Sequence, residues 1–126
     1  MTENNSSQEK FNAMFADRDA GLNIGLKLRK LVFDFFDEIE ENIVGGAKVK
    51  LALYSRGGPN QVLCGIQPAK DGCIFYVHHL KSIDHPRLTF TGKGKHAKQI
   101  RFQSADQVLP TDIQWLLERV EQAAPY

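Results

Sequence analysis

The stretch DFFDEIEE, residues 34–41, places Asp34, Asp37, Glu38, Glu40 and Glu41 within eight positions and has no Lys or Arg among them. Read as helix, Asp34, Glu38 and Glu41 fall at i, i+4 and i+7 on one face, with Asp37 at its border. Carboxylates held so close repel one another, and a hard or borderline divalent cation relieves that repulsion. The chemistry expected of them is loose coordination of a metal ion through oxygen. The plainer role is the solvent face of an amphipathic helix, with Lys27 and Lys30 offsetting part of the charge. Acids near a helix C-terminus oppose the macrodipole, which hints at a purpose other than helix stability.

A second group is cationic. From Arg87 to Arg101 the chain carries Lys93, Lys95 and Lys98 between those two arginines, and no Asp or Glu. Gly92 and Gly94 stand two apart, no Ser or Thr follows the lysines, and the next residues read as strand. A phosphate loop of the strand–glycine–helix type is thereby excluded. What is left is a looser anion site in which glycine-turn amides form a nest beside Lys93, Lys95, Lys98 and Arg101. The simpler alternative is a tight connection served by Gly92 and Gly94, with the lysines solvated.

No catalytic constellation emerges, and an enzyme is not expected. His78 and His79 are adjacent on a strand and point to opposite faces. His79 and His85 can meet across the following loop, but two ligands make a poor metal site. A hairpin with Gln67 opposite Cys73 sets Cys64 against Tyr76 and Leu63 against Val77. Cys64 and Cys73 are then not neighbours, so neither a disulfide nor a shared metal is expected. Ser55, Ser82 and Ser104 lack a nucleophile elbow or a nearby base.

These residues need elements to hold them. Residues 1–16 are expected to be partly flexible or a short docked helix, with Phe11, Met14 and Phe15 at helical spacing. The core spans about residues 20–124. Leu28, Val32, Phe35, Ile39 and Ile43 continue one apolar stripe, so a long helix is predicted up to the stop at Gly45-Gly46. Phe33 lies off that stripe, and Phe11 or Phe15 is the expected cover. KVKLALYS alternates as a half-buried strand, RGGPN reads as a turn, and QVLCGI and CIFYVHHL form a hairpin through QPAKDG. KQIRFQ is a further strand. PTDIQWLLERVEQAA closes the chain as a helix with Pro110 near its start, a Thr111–Gln114 capping box, and a buried face of Ile113, Leu116, Leu117, Val120 and Ala124. Antiparallel strands between helices predict an α+β domain with both helices on one sheet face.

The totals agree. A chain of 126 residues is one domain by length. Its 42% apolar and 25% charged residues are an ordinary soluble composition. A net charge of +1 rules out a strong whole-molecule field for nucleic acid or membranes, so any electrostatic function must be local. Two cysteines, a polar N-terminus and the lack of a run of ~18 apolar residues lead to a cytoplasmic expectation with no membrane partner.

In their order, CIFYVHHL, HPRLTFTGKGKHAKQIRF and DIQWLLERVEQAA resemble the YdhG-like family of small bacterial domains of unknown function. Gly92, Gly94, Lys95, Ile100 and Arg101 fall on that family's G-x-G-K turn and basic strand start. The likeness covers roughly residues 28–124 and is concentrated in 87–102; LYSRGGPNQV departs from the pattern. The resemblance implies a frataxin-like sandwich of two helices on one antiparallel sheet. It also implies weak iron handling, with Fe2+ held by Asp34, Asp37, Glu38 and Glu41 and passed to a protein partner. The rival readings are an anion or nucleic-acid module using residues 92–101, nucleic acid being the less favoured ligand, and a protein-interaction module. The chain is expected to be a monomer or a weak homodimer.

Overall fold

The computed structural model describes residues 2–16, 18–46, 50–80, 83–91 and 97–126. Helix α1 (Thr2–Met14) is followed by α2 (Asp19–Phe35) and strands β1 (Glu40–Gly45), β2 (Lys50–Ser55), β3 (Val62–Ala69), β4 (Gly72–His78) and β5 (Ala97–Phe102). A 3-10 turn at Ala105–Gln107 leads into α3 (Pro110–Ala123). The strands form one antiparallel sheet in the order β1-β2-β3-β4-β5. Among the described residues no helix is long and apolar enough to cross a membrane.

The fold class is therefore α+β, with five strands and three α-helices among the described residues. The predicted long helix is not formed as one element. α2 ends at Phe35, Phe36 turns to extended backbone, and residues 40–45 become an edge strand. The physical reason lies in residues 34–44. The acids oppose further helix at the negative end of the dipole, while Ile39, Glu41 and Ile43 share a period-two alternation that β2 can pair. Ile39 and Ile43 pack on the core from outside the helix.

The helix layer covers one face. Leu28 and Val32 of α2 and Ile113, Leu116, Leu117 and Val120 of α3 are fully buried against Ile66, Phe75 and Val77 of the sheet. The N-terminal segment is a docked helix. Phe11 and Phe15 are fully buried, with rings 5.4 Å apart, and lie against the Cα of Gly25 on α2, where a Cβ would meet Phe15 Cζ at 2.7 Å. Phe33 is covered differently from expectation: the Arg29 guanidinium lies 4.7 Å from its ring centroid, and the Tyr54 ring packs edge-on at 5.8 Å.

Two local expectations are corrected. The β3–β4 hairpin pairs Ala69 with Gly72, Pro68 with Cys73 and Cys64 with Val77, one residue away from the predicted register. A two-residue turn, Lys70-Asp71, sets it. Cys64 and Cys73 are free, buried thiols; burial raises both, Cys73 to about 12. The Thr111–Gln114 capping box does not form: α3 starts at N-cap Leu109 with Pro110 behind it. A capping box occurs instead at Ser104 and Gln107 of the 3-10 turn.

Candidate functional site

The acidic candidates do not share a helix face, because the helix ends among them. Asp34 sits in the last turn of α2 and accepts from Lys30 Nζ at 2.8 Å, both exposed. Asp37 and Glu38 are exposed in the turn that follows, beside a shallow cleft of ≈ 330 Å³ shared with Phe36, Arg56 and Glu121. Glu41 is on β1, with its side chain only 2% exposed. It accepts from Arg29 Nε at 2.8 Å and Nη2 at 3.0 Å, from the Tyr54 hydroxyl at 2.6 Å, and from Ser7 Oγ. Its oxygens are thus committed to donors from α1, α2 and β2. Burial, and after it the Glu41 charge, push the Tyr54 phenol far up. Glu41 is a structural anion that clamps three elements.

The cationic candidates also divide. Gly92, Lys93, Gly94, Lys95 and His96 lie outside the described residues. Lys98 is opposite Val77, in the row of Glu41, Tyr54 and Cys64 that faces the helices. Arg101 is opposite Ile74 on the other face, and its Nη1 is 3.7 Å from Asp71 Oδ1. Three residues apart on a strand, the two cations project to opposite sides.

The histidines have separate tasks. His79, with φ 70°, places Nε2 3.0 Å from the Val62 carbonyl and 2.8 Å from the Tyr126 hydroxyl. The Tyr126 hydroxyl donates to the same carbonyl at 2.8 Å, so ring, hydroxyl and carbonyl form one cluster. His85 Nδ1 accepts from the Arg87 amide at 3.1 Å, while Nε2 lies 3.5 Å from the buried Asp112 carboxylate. Arg87 grips the same carboxylate with two nitrogens. The two histidines do not meet.

What alternation along the strands does assemble is the face away from the helices. Register places Asn42, Leu53, Gly65, Tyr76 and Gln99 in one row across all five strands. The adjacent row holds Val44 paired with Leu51, and Gln67, Ile74 and Arg101 in line. Val44, Leu51, Leu53 and Tyr76 lie outside the main hydrophobic cluster, with Val44 39% exposed, while Ile74 on the same face is buried, at 7% exposure. Arg101 is the one charged side chain in those two rows. Gly65, at the centre, carries no side chain and is buried. A Cβ there would lie 3.0 Å from the Ala52 carbonyl oxygen, 3.3 Å from Leu53 Cδ2 and 3.9 Å from Tyr76 Cβ, so Leu53 and Tyr76 flank it closely. The Tyr76 hydroxyl donates to Gln67 Oε1 at 2.8 Å, which fixes the ring over the sheet. Burial raises its phenol, with Arg101 pulling the other way.

A β-bulge bounds this face. Tyr54 pairs with Cys64 but Ser55 pairs with Val62, so Leu63 is the extra residue, and its side chain is fully buried in the core. The apolar alternation of KVKLALYS carried the sequence signal for the face. Its outward set, Leu51 and Leu53, was as apolar as its inward set, Ala52 and Tyr54. Comparison of the chain with family models, with curated proteins and with solved structures returns no match.

Proposed function

We propose that this chain is a protein-interaction domain that docks another protein on the helix-free face of its sheet. The observation that carries the reading is the group Val44, Leu51, Leu53 and Tyr76, apolar side chains on that face and outside the core, with the buried Ile74 in the same rows. Two central rows with one charge, flanking amides, a tyrosine and an arginine have the composition of an interface centre, where charged groups are depleted and Tyr and Arg enriched, and the exposed Glu40 stands at their border. Nothing in this role requires chemistry on a ligand.

The test compares affinity purifications of the wild type, of Leu53→Glu/Tyr76→Glu, and of Glu118→Lys on exposed α3. A protein retained by the wild type and by Glu118→Lys, and lost with the double variant, is the expected result. Retention by all three overturns the reading.

The iron-carrier reading that follows from the YdhG-like, frataxin-like resemblance rests on Asp34, Asp37 and Glu38 alone, since Glu41 already holds Arg29. Its support is the exposure of those three carboxylates and a helix layer confined to one side of an antiparallel sheet. Anaerobic titration of Fe2+ with amide NMR tests it. Shifts confined to residues 34–38 favour a carrier; an unchanged spectrum removes it. The anion reading keeps only Arg101 and Lys98 on opposite faces, which gives it no shared surface among the described residues.

A further inference from the structure

We infer that the partner on the open sheet face is a second copy of this chain, packed face to face about a two-fold axis running along β3. This inference rests on the proposal that the face is a docking surface, and it deepens that proposal by naming the occupant.

The face is self-complementary under that axis. Its β1–β2 half is aliphatic, with Val44, Leu51 and Leu53, and its β4–β5 half carries Ile74, Tyr76, Gln99 and Arg101. A two-fold along the central strand lays β2 over the partner's β4 and β1 over the partner's β5. Leu53 then meets the partner's Tyr76, Leu51 meets the partner's Ile74, and Asn42 meets the partner's Gln99, where two amides can exchange hydrogen bonds. Val44 covers the aliphatic stem of the partner's Arg101. An isologous contact makes every one of these pairs twice.

Two further features favour this arrangement. Gly65 opposes the partner's Gly65 on the axis, and neither adds a side chain, so the contact there falls to the flanking Leu53 and Tyr76. The only charge in the two rows, Arg101, lies on β5 at the sheet's edge. The axis sends the two Arg101 groups to opposite edges, about 20 Å apart at strand spacing, beyond the screening length at physiological salt. The alternative axis, across the strands, stacks β5 on β5 and brings the arginines to one side.

The area sets the strength. Five strands at about 4.8 Å spacing and six residues at about 3.3 Å give a footprint of roughly 480 Å² per copy. That is below the ~800 Å² per partner of a standard interface, which puts the dimer in the class of weak, transient contacts.

The experiment uses the full chain. Sedimentation velocity from about 10 μM to 1 mM is expected to show the weight-average mass rising toward twice that of the chain, with Leu53→Glu/Tyr76→Glu staying monomeric at unchanged circular dichroism. Isotope-filtered NOE spectra of a 1:1 labelled and unlabelled wild-type mixture are expected to show Leu53 methyl to Tyr76 ring cross-peaks between chains, which needs no variant to fold. A monomer at 1 mM, or a dimer without those cross-peaks, overturns the inference. If the wild type is monomeric yet the affinity purification still yields a partner lost with the double variant, the dimer falls and the docking surface stands. If neither is seen, both fall.

Discussion

Glu41 and Arg29 form a two-point ion pair, Nε to Oε2 at 2.8 Å and Nη2 to Oε1 at 3.0 Å, between an edge strand and the helix above it. The Arg29 side chain is 14% exposed and also stacks between Phe11 and Phe33. Removing one partner leaves the other buried and uncompensated.

Glu41→Ala is therefore expected to cost about 3–5 kcal/mol, as breaking a buried pair does. Asp34→Asn, Asp37→Asn and Glu38→Gln should each stay within about 0.5 kcal/mol, being surface changes. Urea unfolding of the four variants checks this. A Glu41 variant as stable as the other three refutes the clamp.

The hydroxyl of Tyr54 reaches the same carboxylate at 2.6 Å from within the sheet. Tyr54→Phe keeps the ring and removes a hydrogen bond to a charged acceptor, so a loss of about 1.5–3 kcal/mol is expected in the same unfolding assay.

Gly72 opens β4, where an added Cβ would lie 2.0 Å from the Phe102 carbonyl oxygen on β5. Gly72→Ala must push the two strands apart, with an expected cost of about 3 kcal/mol or more. Gly46→Ala meets nothing within 4 Å and serves as the near-neutral comparison. Chemical denaturation of both variants reads the contrast.

Ala16 follows α1 with φ 52°, a left-handed position that suits glycine. A Cβ there costs about 1–2 kcal/mol, and glycine gives back about 0.5–1 through chain entropy. Ala16→Gly should raise stability by about 0.5–1 kcal/mol, seen as a higher midpoint in thermal melting.

The hydrogen bonds from Arg87 hold the Asp112 carboxyl below its ordinary value, and those from Arg56 do the same for Glu121. A depressed folded value means the contribution is complete above the unfolded pKa of about 4 and is lost as pH falls through the folded values. Stability should thus decline below about pH 4. Arg87→Ala and Arg56→Ala should each be less stable than wild type at neutral pH and lose less on acidification, measured as unfolding midpoints from pH 7 to pH 2.

The closing helix, the hairpin strands and their order were legible because their signals are local. Ile113, Leu116, Leu117 and Val120 repeat at helical spacing and are all fully buried. Residues 36–45 were not legible in the same way. Ile39 and Ile43 continue the stripe of Leu28 and Val32 at helical spacing, and they also alternate with Glu41 as a strand requires. Four residues is a multiple of the strand period and close to one helical turn, so that stretch satisfies both patterns.

Pairing with β2 decided between them, and pairing is a contact between distant parts of the chain. The same choice changed the acids from one helical face into a salt-bridged Glu41 and three exposed carboxylates. The sequence by itself determined an α+β domain with an amphipathic closing helix and a hairpin, since those rest on composition and short periods. Tertiary structure alone decided that Glu41 meets Arg29, that Lys98 and Arg101 part company, and that Leu53, Gly65 and Tyr76 line up across three strands. Each of these depends on register, and a register is fixed only when the whole sheet buries one face.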